Sequence, residues 1–255
     1  MADFIGAGLW GLFSASGLLI GALVADLFSK RLSHRLIATV MGFGGGVLIA
    51  IVAVELMGDA IQTGMSIGAI TALLGGAAIF SGINWYLANR GAKNRKRCGE
   101  CVEQPSETEH RGSGVAIAAG AILDGIPEAL VIGLSMLGGG KIGMGVVAGF
   151  FLANIPQGLS SASGMKLAGR SRRYIYAIWA GIPLLIGQTA ALGNIALGSA
   201  STDAPGVILC FAAGAVLAML AETMIPEAFD DAPPLIGLIT VTGFLAAFLL
   251  VQHHV

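Results

Sequence analysis

The stretch Val115–Leu137 reads VAIAAGAILDGIPEALVIGLSML. It is 23 residues long and carries two acids, Asp124 and Glu128, and no base. At 1.5 Å rise per residue, a helix of this length crosses a hydrocarbon core about 30 Å thick. A barrel strand would be about 10 residues of alternating character, and this run is longer and more continuously apolar. Seven further runs of the same kind flank it, at about Phe4–Val24, Leu36–Leu56, Gly64–Leu87, Gly143–Met165, Ile175–Leu197, Val207–Ile225 and Leu235–Val251. The sequence therefore predicts an all-α polytopic membrane protein with eight transmembrane helices.

Composition agrees with this reading. Hydrophobic residues make up 55% of the 255 positions and charged residues 11%, with a mean hydropathy of +0.83. A soluble domain carries about 25% charged residues, so a water-facing surface cannot be built from this supply. Glycine, at 39 residues, is about twice as frequent as usual. Small residues of this kind let helices approach closely in lipid. Three cysteines leave one over and argue against a disulfide framework. The first run lacks a basic n-region and follows Asp3 directly, unlike a cleaved signal peptide.

Basic residues set the expected topology. Thirteen of the 14 lysines and arginines fall in or beside the loops between runs 1 and 2, 3 and 4, and 5 and 6; Lys141 alone lies opposite. The positive-inside rule makes that side cytoplasmic and both termini extracytoplasmic, as in a plasma (inner) membrane protein. One membrane domain follows, with helices 1–3 in residues 1–88, a cytoplasmic loop in 89–113 and helices 4–8 in 114–255. The loop reads as a mobile polar segment. Its basic run Lys93–Arg97 reads as a topology signal and a contact with anionic lipid, not as a nucleic-acid patch. Cys98 and Cys101 form half of a zinc site; that segment reads as either a soft-metal ligand pair or a solvated loop.

Two parts of the chain repeat. Gly46-Val47-Leu48 through Met57-Gly58-Asp59-Ala60 lies over Gly214-Ala215-Val216 through Ile225-Pro226-Glu227-Ala228 at an offset of 168. Ile67-Gly68-Ala69-Ile70-Thr71 lies over Ile236-Gly237-Leu238-Ile239-Thr240 at an offset of 169. With the weaker match of Leu18–Gly21 to Leu184–Gly187, this predicts a three-span unit used twice around a central pair, a 3+2+3 arrangement. By the topology above, span 1 runs inward and span 6 outward, so the two units are expected to be inverted, as in secondary transporters. The central pair also repeats: Leu123-Asp124-Gly125-Ile126-Pro127-Glu128-Ala129-Leu130 over Leu152-Ala153-Asn154-Ile155-Pro156-Gln157-Gly158-Leu159.

A carboxylate at mid-membrane costs about 2.5–3.5 kcal/mol on insertion scales and persists where it meets a cavity, partner or ion. Asp124 and Glu128 are one helical turn apart and share a face. Pro127 and Pro156 free the carbonyls of Leu123 and Leu152 as further acceptors. Asn154, Gln157, Gln188 and Glu222 are the other polar groups inside spans considered as ligands. Asn154 and Gln188 read equally as interhelical hydrogen-bonding groups. Glu55 reads as either a gate or a helix-end acid, and Asp59 and Glu227 as solvated helix ends. No lysine or arginine lies inside a span, so the expectation is that a bound cation or proton neutralises Asp124 and Glu128. The donors are oxygens, and oxygen suits harder cations than imidazole or thiolate does. No histidine sits mid-span, and Cys210 reads as a small buried hydrophobe. An intramembrane enzyme is not expected: Asp124 has no second mid-span Asp, no mid-span His and no Ser–Lys pair to work with.

On these residues the chain resembles the ZIP (Zrt/Irt-like) family of divalent metal transporters over essentially its full length. That family has eight spans, termini outside, a long loop between spans 3 and 4, and paired proline motifs in spans 4 and 5. The resemblance implies a primary metal site at Asp124 (His in the family), Glu128 (kept) and Gln157 (Glu in the family), with Ala153 in place of a second His. A secondary site draws on Asn154 and Gln188, and Gly125 removes another ligand. Glu222-Thr223-Met224-Ile225-Pro226-Glu227-Ala228 resembles the family's span-7 ending. The substrate implied is a divalent metal ion (Zn, Mn, Fe, Cd or Co), with the lipid bilayer and a possible homodimer as partners. Transport into the cytoplasm through a carboxylate/amide site is one functional reading; a metal-responsive sensor on a non-transporting ZIP scaffold is the other.

Overall fold

Long apolar runs leave the backbone no partner but itself, so helix is the expected outcome. The computed structural model describes residues 3–28, 33–62, 66–93, 95, 104, 112–137, 143–198, 204–230 and 233–252; among these there are helices and turns and no strand. In chain order the helices are α1 (Asp3–Leu27), α2 (His34–Ala50), α3 (Met57–Gln62), α4 (Ile67–Leu87), α5 (Ser113–Ser135), α6 (Met144–Leu167), α7 (Arg172–Leu197), α8 (Ala204–Met219), α9 (Ile225–Phe229) and α10 (Ile236–Gln252). A π-helical segment, Ile51–Leu56, joins α2 to α3 and another, Leu220–Met224, joins α8 to α9. Serines begin three helices: Ser33, Ser66 and Ser171 accept the backbone N–H of Leu36, Ala69 and Tyr174, as helix caps do.

Among the described residues, six helices are long and apolar enough to cross a membrane: Asp3–Leu27, His34–Ile61, Ile67–Ala92, Ser113–Ser135, Arg172–Leu197 and Pro205–Phe229. The sequence reading had eight, and both exceptions have a physical reason. Helix α10 has 17 residues, short of the roughly 20 that span a bilayer. Helix α6 has 24 but is more polar, with Asn154, Gln157, Ser160, Ser161 and Ser163 all buried. Its neighbours are other helices, so its side chains need not be soluble in lipid. Large apolar residues such as Leu9, Leu74, Leu192 and Leu238 point outward instead, as the lipid-facing surface of a bundle requires.

The packing pairs α1 with α6 and α7, α2 with α10, α4 with α8, and α5 with α7 and α8. Glycine sets how close these pairs come. A Cβ on Gly46 of α2 would run into the Thr240 carbonyl of α10, and one on Gly243 of α10 into the Phe43 carbonyl of α2. The α4–α8 pair has the same arrangement, with Gly76 against the Phe211 carbonyl and Gly214 against the Leu73 carbonyl. Backbones in direct contact gain dispersion energy that bulkier interfaces forfeit.

One end of the bundle is tied by charge. Asp26 at the end of α1 receives Lys166 Nζ from α6 at 2.7 Å, Arg172 Nε from α7 at 3.1 Å and the Tyr176 hydroxyl at 2.8 Å. Arg170 donates to the Ser113 hydroxyl at the start of α5 at 2.6 Å. The acidic end of α1, the basic ends of α6 and α7 and the first residue of α5 are therefore tied at one end of the bundle. Cys210 is fully buried beside Ala60 and Ala69, as a small hydrophobe.

Replacing Gly46 or Gly214 by valine is expected to lower the thermal unfolding midpoint of the purified protein, because overpacking costs about 1–3 kcal/mol or more. Gly58→Ala, where nothing lies within 4 Å of an added Cβ, is expected to leave the midpoint unchanged. Equal midpoints for all three variants would remove the close-contact account.

Candidate metal site

The geometry begins on α5, which places Asp124 and Glu128 on the face turned into the bundle; both are at most 2% exposed. Pro127 lies inside the same helix. Across from it, α6 presents Asn154 and Gln157 around Pro156, at 3% and 2% exposure. These four predicted residues are all shut off from solvent. Asn154 Nδ2 donates to Glu128 Oε2 at 2.8 Å and to the Ser14 carbonyl of α1 at 3.3 Å. Asn154 therefore ties α1, α5 and α6 together. Gln157 Nε2 has no hydrogen-bond partner among the described residues; a buried amide of that kind is a group held in place by packing with its polar end uncommitted.

Asp124 has the partner that the sequence reading denied it. Arg95 Nη2 lies 3.0 Å from Asp124 Oδ1, with both side chains 3% exposed. The same guanidinium donates through Nη1 to Asn84 Oδ1 of α4. Asn84 Nδ2 in turn donates to Glu222 Oε2 at 2.7 Å, and the Ser81 hydroxyl donates to Glu222 Oε1. Glu222, in the π-helical segment between α8 and α9, is thus linked to Asp124 through Asn84 and Arg95. The expectation that only a bound cation or proton could neutralise the acids of α5 is corrected here: a guanidinium from outside the spans already does so at Asp124.

Arg95 arrives there by a backbone reversal. After α4 the chain makes a π-helical turn, Ala88–Ala92, in which Gly91 has φ +100°, a conformation that glycine adopts without strain. Beyond the turn, Arg95 lies against α5. Gly120, one turn before Asp124, makes the room: a Cβ there would lie 2.5 Å from Arg95 Cδ. Gln104 is also buried; its Nε2 donates to the Arg95 carbonyl at 2.8 Å and to the Ser161 carbonyl of α6 at 3.2 Å. Arg95 and Gln104 therefore belong to the bundle, not to a solvated loop or a lipid contact. Cys98 and Cys101 lie outside the described residues.

The other predicted positions separate. Gln188 is exposed on α7 and is not brought to the cluster. Glu55 is half-buried in the π-helical segment Ile51–Leu56, and Asp59 is exposed, as read for a helix end. Glu227 is not a solvated end: it is 1% exposed and accepts from the Ser160 hydroxyl of α6 at 2.9 Å. Its burial had one signal in the sequence, the serine-rich stretch Ser160–Ser163 at the far end of α6. Among the described residues no three His, Cys, Asp or Glu side chains converge. A cation held here would therefore use two carboxylates supplemented by amide or backbone oxygens, the donor chemistry of harder ions.

Comparison with known proteins gives similarity of modest extent. No family model matches the chain. The chain is 26% identical over 178 residues, 64% of its length, to "Zinc transporter SLC39A7" of Mus musculus, of which this covers 37%. The same figures hold for "Zinc transporter SLC39A7" of Rattus norvegicus, with 38% of that protein covered. The chain thus spans under two fifths of the length of these curated relatives. They are transporters, and the helical architecture here is of the polytopic membrane kind.

Removing one partner of a buried ion pair costs about 3–5 kcal/mol, because the other is left charged and unpaired. Arg95→Met and Asp124→Leu are each expected to destabilise the protein on that scale. The double variant is expected to lose markedly less than the sum. An additive double-mutant cycle in thermal or denaturant unfolding would show that the pair is not coupled.

Proposed function

We propose that this chain is a ZIP-like transporter that moves a divalent metal cation across the membrane into the cytoplasm. The observation that carries this reading is the closed cluster of Asp124, Glu128, Asn154 and Gln157 between α5 and α6. Similarity to a zinc transporter supports the substrate class. In this reading Asp124 and Glu128 replace water on the ion. Gln157, Asn154 and the carbonyls freed by Pro127 and Pro156 complete its shell. Glu222 or Glu55 serves as gate or relay, each on a π-helical segment, a feature frequent at functional sites. Gln188 is the weakest member of the set, being exposed in this conformation.

The 3+2+3 inverted arrangement is part of the same proposal. It is supported by the matching π-helical segments at the repeat offset and by the crossed pairing of α2 with α10 and α4 with α8. The cluster around Asp26 supports placing the basic ends on one side, read as the cytoplasmic side of a plasma (inner) membrane, with the termini opposite. A homodimer is the assembly implied by the family resemblance.

One observation favours a second reading, a metal-responsive membrane protein that binds without transporting: the closed conformation holds Asp124 with an arginine. Proteoliposomes separate the two. Divalent-metal uptake (Zn, Mn, Fe, Cd and Co in competition) is expected in the wild type and is expected to be lost in Asp124→Ala and Glu128→Ala, each checked for monodispersity. Metal binding by calorimetry without flux would select the sensor. Uptake undiminished in both variants would remove the site.

A further inference from the structure

We propose that Arg95 is a built-in competitor of the metal: a guanidinium that occupies the cation's place at Asp124 and must leave before a divalent ion can bind both Asp124 and Glu128. This rests on the reading of those acids as the metal site.

Four features of the structure carry it. The charge is placed on the ligand itself, with Arg95 Nη2 at 3.0 Å from Asp124 Oδ1 in a setting where both side chains are nearly inaccessible. A divalent ion coordinated by that carboxylate would meet the guanidinium as a like charge, and repulsion between buried charges is poorly screened. The two cations therefore exclude each other. The arginine is also delivered specifically, through the Gly91 reversal, the notch at Gly120 and the Gln104 clamp on its own carbonyl. A charge merely tolerated by the fold needs none of these. The guanidinium is only partly committed: Nη1 and Nη2 have partners, whereas Nε has none among the described residues. A buried donor left in that state carries a desolvation penalty, which eases release. Finally, Arg95 connects Asp124 to the proposed gate or relay residue Glu222, because Asn84 joins the same guanidinium to it. The departure of Arg95 would leave the Asn84 Oδ1 acceptor without that donor, at the group that also holds Glu222.

The consequence is a reduced apparent affinity. A site that is competent only when Arg95 is away binds more weakly by the competent fraction. If that fraction is about a tenth or less, removing the arginine raises affinity about tenfold or more. Selectivity also follows. Displacement of a guanidinium requires an ion whose charge density on two carboxylates exceeds that of the arginine on one, which favours divalent over monovalent cations.

The test uses the purified full chain in detergent micelles, titrated with ZnCl2 and with MnCl2 by calorimetry. Arg95→Gln is expected to tighten binding about tenfold or more, and Arg95→Lys, which keeps a cation, by less. Gly120→Val leaves both Arg95 and Asp124 in the chain but fills the notch, and is expected to tighten binding as Arg95→Gln does. Finite wild-type binding that neither Arg95→Gln nor Gly120→Val strengthens would overturn the competitor and leave the metal site standing. Absence of binding in the wild type and in every variant would overturn both. A readout on the unaltered protein guards against misfolded variants. Trypsin cleavage immediately after Arg95, identified by the masses of the fragment ends, is expected to accelerate at saturating metal. Cleavage there at an unchanged rate, with metal bound, would overturn the proposal.

Discussion

A carboxylate buried in an apolar helix bundle has to be matched, and the match between Asp124 and Arg95 organises much of this molecule. Neither charge could remain at 3% exposure alone, since an uncompensated buried ion costs several kcal/mol. The pair therefore constrains everything that brings it together: how α4 ends, why Gly91 adopts a positive φ, why α5 has no side chain at position 120, and why Gln104 closes against α6. The guanidinium's planar fork lets it serve Asp124 and Asn84 at once, which a lysine's single nitrogen would do with less fixed geometry.

The rest of the bundle is arranged so that such polar groups can sit at its centre. Helix α6 is covered on nearly all sides, and its neighbour α1 presses glycines directly onto its backbone, Gly17 beside Asn154 and Gly21 beside Ile155. Close backbone contact excludes lipid from the serines and amides of α6. It also fixes Asn154, which then bridges Glu128 and the Ser14 carbonyl. The peripheral helices α4 and α10 carry the opposite character: few of their residues are buried, and their large apolar side chains face outward.

The apolar runs, their ends and the polar residues of α5 and α6 were legible in the sequence because each is a local property. Hydropathy marks a span, and an Asp and a Glu one turn apart mark a face. What was not legible depends on contacts between distant segments. Arg95 lies 29 residues from Asp124, in a stretch whose charge reads as solvated; only the three-dimensional reversal at Gly91 shows that it turns inward. The burial of Glu227 depends on α6 passing beside it, and the exposure of Gln188 on which face α7 turns to α1 and α5. Helix α6 fell below the apolar standard for a span for the same reason: a helix shielded by its neighbours is released from the hydropathy that lipid imposes.

The polar groups of the two central helices then form one electrostatic arrangement. Helix α5 carries Asp124 and Glu128, and α6 carries Ala153 and Gln157 at the positions that repeat them at an offset of 29. Both carboxylates therefore stand on α5, a turn apart. Two like charges at that spacing raise each other's energy. Asp124 needs a positive partner, and Arg95 meets that need. Glu128 needs a donor, and Asn154 Nδ2 meets that at 2.8 Å. The amide nitrogen of Gln157 is left without a hydrogen-bond partner among the described residues, so its burial is not offset in the way that Arg95 and Asn154 offset the burial of the two acids of α5.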